Sequence, residues 1–144
     1  MRLLTAFILF IFQSESANAE IPTIPLKVSG HTISAEVAHK KQSRIRGLMY
    51  RNFLEENSGM LFVFPQTARH SMWMDNTYIP LSIAFLDKNG IIINIINMSP
   101  NTRTKHSAAS AAKYALEMNL GWFSAKNIKA GKKITGLEKA PNAE

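Results

Sequence analysis

Residues 81–98 read LSIAFLDKNGIIINIINM, two apolar runs on either side of Asp87-Lys88-Asn89-Gly90. An Asn-Gly step accepts the positive φ that a tight hairpin turn requires, and the β-branched isoleucines that follow favour extended backbone. The segment therefore predicts two paired strands, Leu81 to Leu86 and Ile91 to Met98. The same pattern recurs along the chain. Ile24, Leu26 and Val28, then Ile33, Ala35 and Val37, alternate around Ser29-Gly30-His31 and predict a second hairpin. Met60 to Phe64 is a continuous apolar run closed by Pro65, short enough for a strand buried on both faces. Ser71 to Asp75, Tyr114 to Met118 and Lys133 to Gly136 complete the set of expected strands. Ile45, Leu48 and Met49 fall at i, i+3, i+4 and predict a short amphipathic helix. Gly47 weakens that helix by about 1 kcal/mol, so it ends early or uses the glycine for close packing. A helical turn is expected from Trp122 to Asn127, and Ser107 to Ala112 is compatible with loop or helix. About seven short strands with turn signals between them predict a mainly β fold, a compact antiparallel β sandwich or barrel with one or two small helices.

The N-terminus follows a different rule. Arg2 precedes a ten-residue run, Leu3 to Phe12, broken only by Thr5, and Ala17-Asn18-Ala19 supplies small residues at a cleavage site. This predicts a secretory signal peptide over residues 1–19, cut between Ala19 and Glu20, and a periplasmic or extracellular protein. The apolar run is short of the ~20 residues that span a bilayer, so no membrane span is expected after cleavage. Residues 20–144 are then one globular domain with a core of about 24–136.

The chain has no cysteine, which removes thiol catalysis, cysteine-held zinc and iron–sulfur clusters. Its net charge is +7. Lys40, Lys41, Arg44, Arg46 and Arg51 occur in a stretch without an acidic residue, and Lys126, Lys129, Lys132 and Lys133 form a second cluster. An exported protein does not meet nucleic acid. The anions it meets are phospholipid head groups, cell-envelope polymers and acidic small molecules, and the plain alternative is a solvated basic surface with no partner.

Chemistry concentrates between Gly59 and Leu81, GMLFVFPQTARHSMWMDNTYIPL. Three readings follow. A strand over Ser71 to Asp75 would put His70, Met72 and Met74 on one face, a soft ligand set suited to Cu(I), or equally a stripe of core residues. Alternatively Trp73 offers a stacking surface, Asn76 and Thr77 donors and acceptors, and Arg44 and Arg51 bidentate forks for a small polar or anionic ligand. Asn76-Thr77 is also ordinary turn chemistry. Glu117 is the sole acidic residue of Ala115 to Gly121 and, if buried, needs a cation or several donors. An Arg44–Glu117 pair is the expected contact, and Glu117 joins the candidate ligand site. The third reading is an enzyme using His70, Asp75 or Glu117. No HExxH, GxGxxG or phosphate-loop motif is present, and no cofactor is called for. An enzyme would show one of these groups in a solvent-connected cleft with a displaced pKa. A binding module would show Trp73 and Asn76 lining the cleft without one.

SRIRGLMYR (Ser43 to Arg51), GMLFVF (Gly59 to Phe64), WMDNTYIPLSIAFLD (Trp73 to Asp87) and ALEMNLG (Ala115 to Gly121) occur in an order that resembles the domain of unknown function 192 family, small bacterial and archaeal proteins that are often exported. The resemblance covers about residues 24 to 136. It implies a compact, mainly β domain and no established reaction. Two positions depart from the family's usual pattern: Ser82 stands where many members have Asp, and Met72 where many have Phe.

Overall fold

The computed structural model describes residues 20–144; the expected signal peptide, residues 1–19, lies outside them. Among the described residues the fold is mainly β, with eight strands in two sheets. Strands β1 (Thr23–Val28) and β2 (His31–Ala38) form the expected first hairpin. Ser29 and Gly30 turn it with φ of 47° and 79°, the two positive values a primed turn demands. Ile24, Leu26, Val28, Ile33, Ala35 and Val37 alternate with more exposed residues and face one side, while Ala38 is buried on the other.

Helix α1 (Lys41–Arg46) follows. The Ser43 hydroxyl accepts from the Lys40 amide and donates to the Lys40 carbonyl, closing the first turn on itself. Gly47 then ends the helix with φ +48°, and a Cβ there would stand 3.2 Å from the Phe62 ring. Both reasons for a glycine at this position hold. Because the helix stops at Arg46, Ile45 never joins Leu48 on a common buried face. Leu48 is in the core while Ile45 is 64% exposed, against the expected periodicity.

The longer strands β3 (Ser58–Ala68), β5 (Leu81–Leu86), β6 (Ile92–Met98) and β8 (Ala112–Asn119) join the hairpin in a six-stranded sheet of order β1-β2-β3-β8-β5-β6. All its pairings are antiparallel except β2–β3, which is parallel and uses residues 39–57, including α1, as its crossover. The Asn-Gly hairpin forms as expected. Asp87 Oδ1 accepts from the Asn89 and Ile91 amides, and Gly90 takes φ +81°. A two-stranded ribbon pairs β4 (Ser71–Met72) with β7 (His106–Ser107). Helix α2 (Trp122–Ala125) is the expected helical turn.

The sheet is buried on both faces and is not closed into a barrel. Leu61 and Val63 of β3, Leu116 and Met118 of β8 and Leu86 of β5 pack against the first hairpin, Trp122 and Phe123. Met60, Phe62, Phe64, Ile83, Phe85 and Ala115 point the other way, beneath Leu48, Leu54, Met74 and Ile79 of the connecting segments. The last expected strand, Lys133 to Gly136, exists only as two isolated bridges. Thr135 pairs with Lys27 of β1 and Lys133 with Ile91, next to β6, so one extended segment links the two outer strands of the sheet.

Candidate functional site

Glu117 lies on β8 between Met60 of β3 and Ile83 of β5, both fully buried. It shares the parity of Ala115, so its side chain leaves the sheet on the Phe62 face. The residue is 3% exposed. Burial pushes its carboxyl from 4.5 up to about 8, because removing water penalises the charged form. At neutral pH Glu117 is a carboxylic acid with a proton to donate.

Its surroundings do not pair it. The ion pairs among the described residues join Arg51 to Glu36 and Arg103 to Asp75. The expected Arg44–Glu117 contact is not made. Arg44 Nη1 donates to the His39 and Val63 carbonyls at 2.6 and 3.2 Å, and Nη2 to the Glu144 carbonyl at 2.6 Å. The physical reason is that the guanidinium is already taken by three backbone carbonyls, those of His39 just before α1, Val63 of β3 and Glu144 at the C-terminus.

Glu117 instead faces a cleft of about 440 Å³, within the range of small-molecule sites. Phe62 shares the base. One wall is Arg44 to Met49; the other is Ser71, Met72, Trp73 and Thr77; Lys105, from the loop before β7, completes it. Trp73 is 45% exposed, and the backbone beside it is pinned by Met74 N–H to the Thr102 carbonyl and Asn101 N–H to the Thr77 carbonyl. The charged groups lining the cleft besides Glu117 are Arg44, Arg46 and Lys105. With Glu117 protonated, the cleft is apolar in body and positive in potential.

Of the residues singled out by sequence, Arg44, Trp73, Thr77 and Glu117 meet in the cleft, whereas Arg51 and Asn76 do not line it. Arg51 forms a two-pronged pair with Glu36 at 2.5 and 3.0 Å. Asn76 takes φ +50°, and its carbonyl accepts from the Tyr50 amide, so its part is turn chemistry. Thr77 Oγ1 donates to the Asp75 carbonyl at 3.0 Å. Met72 lines the cleft, but the strand expected over Ser71 to Asp75 is only two residues long, so its alternation does not carry to Met74. Met74 is fully buried in the core. The His70 ring stacks on Phe64 at 3.8 Å and pairs with the Gln66 carbonyl. Asp75 is held by Arg103, so among the three groups considered for acid–base work only Glu117 reaches the cleft. Sequence reasoning missed Ile45, Arg46 and Lys105. Arg46 belongs to the basic stretch noted from the sequence, whereas Lys105, in a polar loop with Arg103, carries no signal for the cleft.

A second cleft, about 530 Å³, lies near Ser82, Asn97, Ser124 and Lys129. Its volume exceeds the first, but its buried polar group is satisfied. Ser82 Oγ donates to Asn97 Oδ1 at 2.7 Å and accepts from the Gly121 amide at 2.9 Å. The serine that departs from the family's usual Asp thus serves a strand-to-helix junction.

The family model for DUF192, described as Uncharacterized ACR, matches residues 24–136. The chain belongs to the DUF192 family. Two solved structures share its fold. A proposed transcription regulator from Sinorhizobium meliloti 1021 is 30% identical with a TM-score of 0.77, over 80% of this chain and 94% of that one. A protein of unknown function from Novosphingobium aromaticivorans DSM 12444 is 31% identical with a TM-score of 0.78, over 83% of this chain and 89% of that one. No curated protein matches. The cleft belongs to the β3–β8–β5 centre of the sheet and its covering segments, all within the matched DUF192 region.

Proposed function

We propose that this DUF192 protein is an exported binding module whose central cleft takes a small anion with an apolar body. The observation that carries the reading is Glu117: a carboxyl buried in the sheet, without an ion-pair partner, facing a cleft whose other charges are cationic. Desolvation keeps the Glu117 carboxyl protonated, and a ligand oxygen in the cleft can accept its hydrogen bond. Arg46 and Lys105 attract the anion, Phe62, Leu48 and Met72 contact its body, and Trp73 lies along it. Ionised Glu117 would repel the same ligand, so affinity falls by about tenfold per pH unit above the carboxyl's pKa.

A displaced carboxyl in a solvent-connected cleft is the mark expected of an enzyme, and Asn76, expected in the cleft of a binding module, lies outside it. Neither His70 nor Asp75 reaches the cleft to complement Glu117, so binding is the reading adopted. Calorimetry with 4-phenylbutyrate, and with 4-phenylbutanol as its neutral counterpart, tests it. The carboxylate binds wild type at pH 6.5 and loses affinity at pH 9, the alcohol does not bind, and Glu117→Gln removes the pH dependence. Equal binding of acid and alcohol, or a pH dependence surviving in Glu117→Gln, overturns the reading. Export through residues 1–19 is checked by N-terminal sequencing of the protein from the cell envelope, where a chain beginning at Glu20 is expected.

A further inference from the structure

Around the mouth of the cleft, large apolar side chains stand in solvent. Ile45 is 64% exposed, Tyr50 52%, and Trp73 and Tyr78 45% each. They adjoin one another. Ile45 and Trp73 line the cleft together with Arg46 and Lys105. The Arg46 guanidinium lies 5.6 Å over the Tyr50 ring, and Tyr50 meets Tyr78 edge-on at 6.3 Å. Phe53 is more exposed still, but shares its loop with Glu55 and Glu56 and does not line the cleft.

We propose that this aromatic and basic rim docks the protein on an anionic lipid bilayer, with the cleft opening toward the lipid. Trp and Tyr side chains favour the head-group layer, where the ring is half apolar and its polar edge stays wet. Arg46 and Lys105, with Lys40 and Lys41 exposed beside the first turn of α1, supply the charge that attracts phosphates. Charge also selects the occupant. The stretch from Lys40 to Arg51 has no acidic residue, and Asp75, on the opposite wall's segment, is already paired with Arg103. A second copy of this face would bring cation against cation, whereas an anionic bilayer complements it.

The chain contains two tryptophans. Trp122 is 4% exposed and already in an apolar setting, so a change in emission on vesicles reports Trp73. The experiment uses residues 20–144, which contain every element described above, because the apolar run before them would bind vesicles by itself. Phosphatidylcholine vesicles with and without phosphatidylglycerol are compared by sedimentation and fluorescence. Binding only with phosphatidylglycerol, weakening with salt and accompanied by a blue shift, is expected. Trp73→Phe should lose the shift and weaken binding modestly, and Ile45→Ser with Tyr50→Ser should weaken binding at least about tenfold. Failure to sediment with anionic vesicles overturns the proposal. So does binding without a Trp73 shift that is lost in a Lys129/Lys132/Lys133 triple alanine variant, which assigns docking to the other basic cluster. A concentration-dependent dimer abolished by Ile45→Ser would also overturn it, making the face a self-association surface.

Discussion

Replacing Glu117 by Gln keeps the shape of the side chain and removes its titration, which makes a strong stability signal readable. The carboxyl titrates near 4.5 when unfolded and near 8 when folded. Between those values the native state holds one proton that the unfolded chain has released. Stability of the wild type therefore decreases as pH rises, by about 1.4 kcal/mol per pH unit, and levels off above the folded pKa. Between pH 5 and pH 8 the loss assigned to this one group is about 4 kcal/mol, an upper figure because the site can relax or admit water. The amide is neutral throughout and has no such window. It does bury a new donor, at a cost of about 1–3 kcal/mol that is the same at every pH. The diagnostic is thus the slope and not the offset. Urea unfolding of both proteins at pH 5, 6.5 and 8 should show the variant gaining on wild type by about 4 kcal/mol across the series. Other carboxyls cancel, being common to both chains. If the two stability profiles run parallel within about 0.5 kcal/mol, Glu117 is ionised in the folded protein and the reasoning fails.

Two further substitutions separate scaffold from site. Arg44→Ala removes charge-assisted hydrogen bonds to the carbonyls of His39, Val63 and Glu144, and should cost about 2 kcal/mol in urea unfolding while leaving the Glu117 titration unchanged. Gly59→Ala places a Cβ against the Met118 sulfur and the Glu117 carbonyl, and should cost about 3 kcal/mol through strain between β3 and β8, read as a lower thermal midpoint.

Local signals in the chain were sufficient wherever a turn or an alternation determined the outcome. The Asn89-Gly90 hairpin, the Ser29-Gly30 hairpin and the doubly buried run at Met60 to Phe64 form as their residues dictate. What the sequence leaves open is set by contacts distant along the chain. The parallel pairing of β2 with β3 depends on a crossover no local pattern announces. Lys133 to Gly136 has the look of a strand, but only isolated backbone bridges to Lys27 and Ile91 are available to it. The site divides in the same way. Glu117, a single acid among apolar neighbours on a strand, stood out as a residue needing a partner, and its burial confirms the strangeness of its position. Arg44 is not that partner, because its guanidinium is taken by the carbonyls of His39, Val63 and Glu144. Lys105 joins the cleft through a loop whose path is fixed by the ribbon pairing Met72 with His106.

The central claim is that a neutral carboxylic acid at position 117 donates to an anion in the cleft. Carbon-13 NMR of the glutamate side-chain carboxyls, with Glu117 assigned by its absence in Glu117→Gln, tests it directly. A midpoint near 8 is expected, moving higher when 4-phenylbutyrate is added, because an anion that binds the protonated form must raise its pKa. A midpoint near 4.5, or one that the carboxylate leaves in place, would contradict the account.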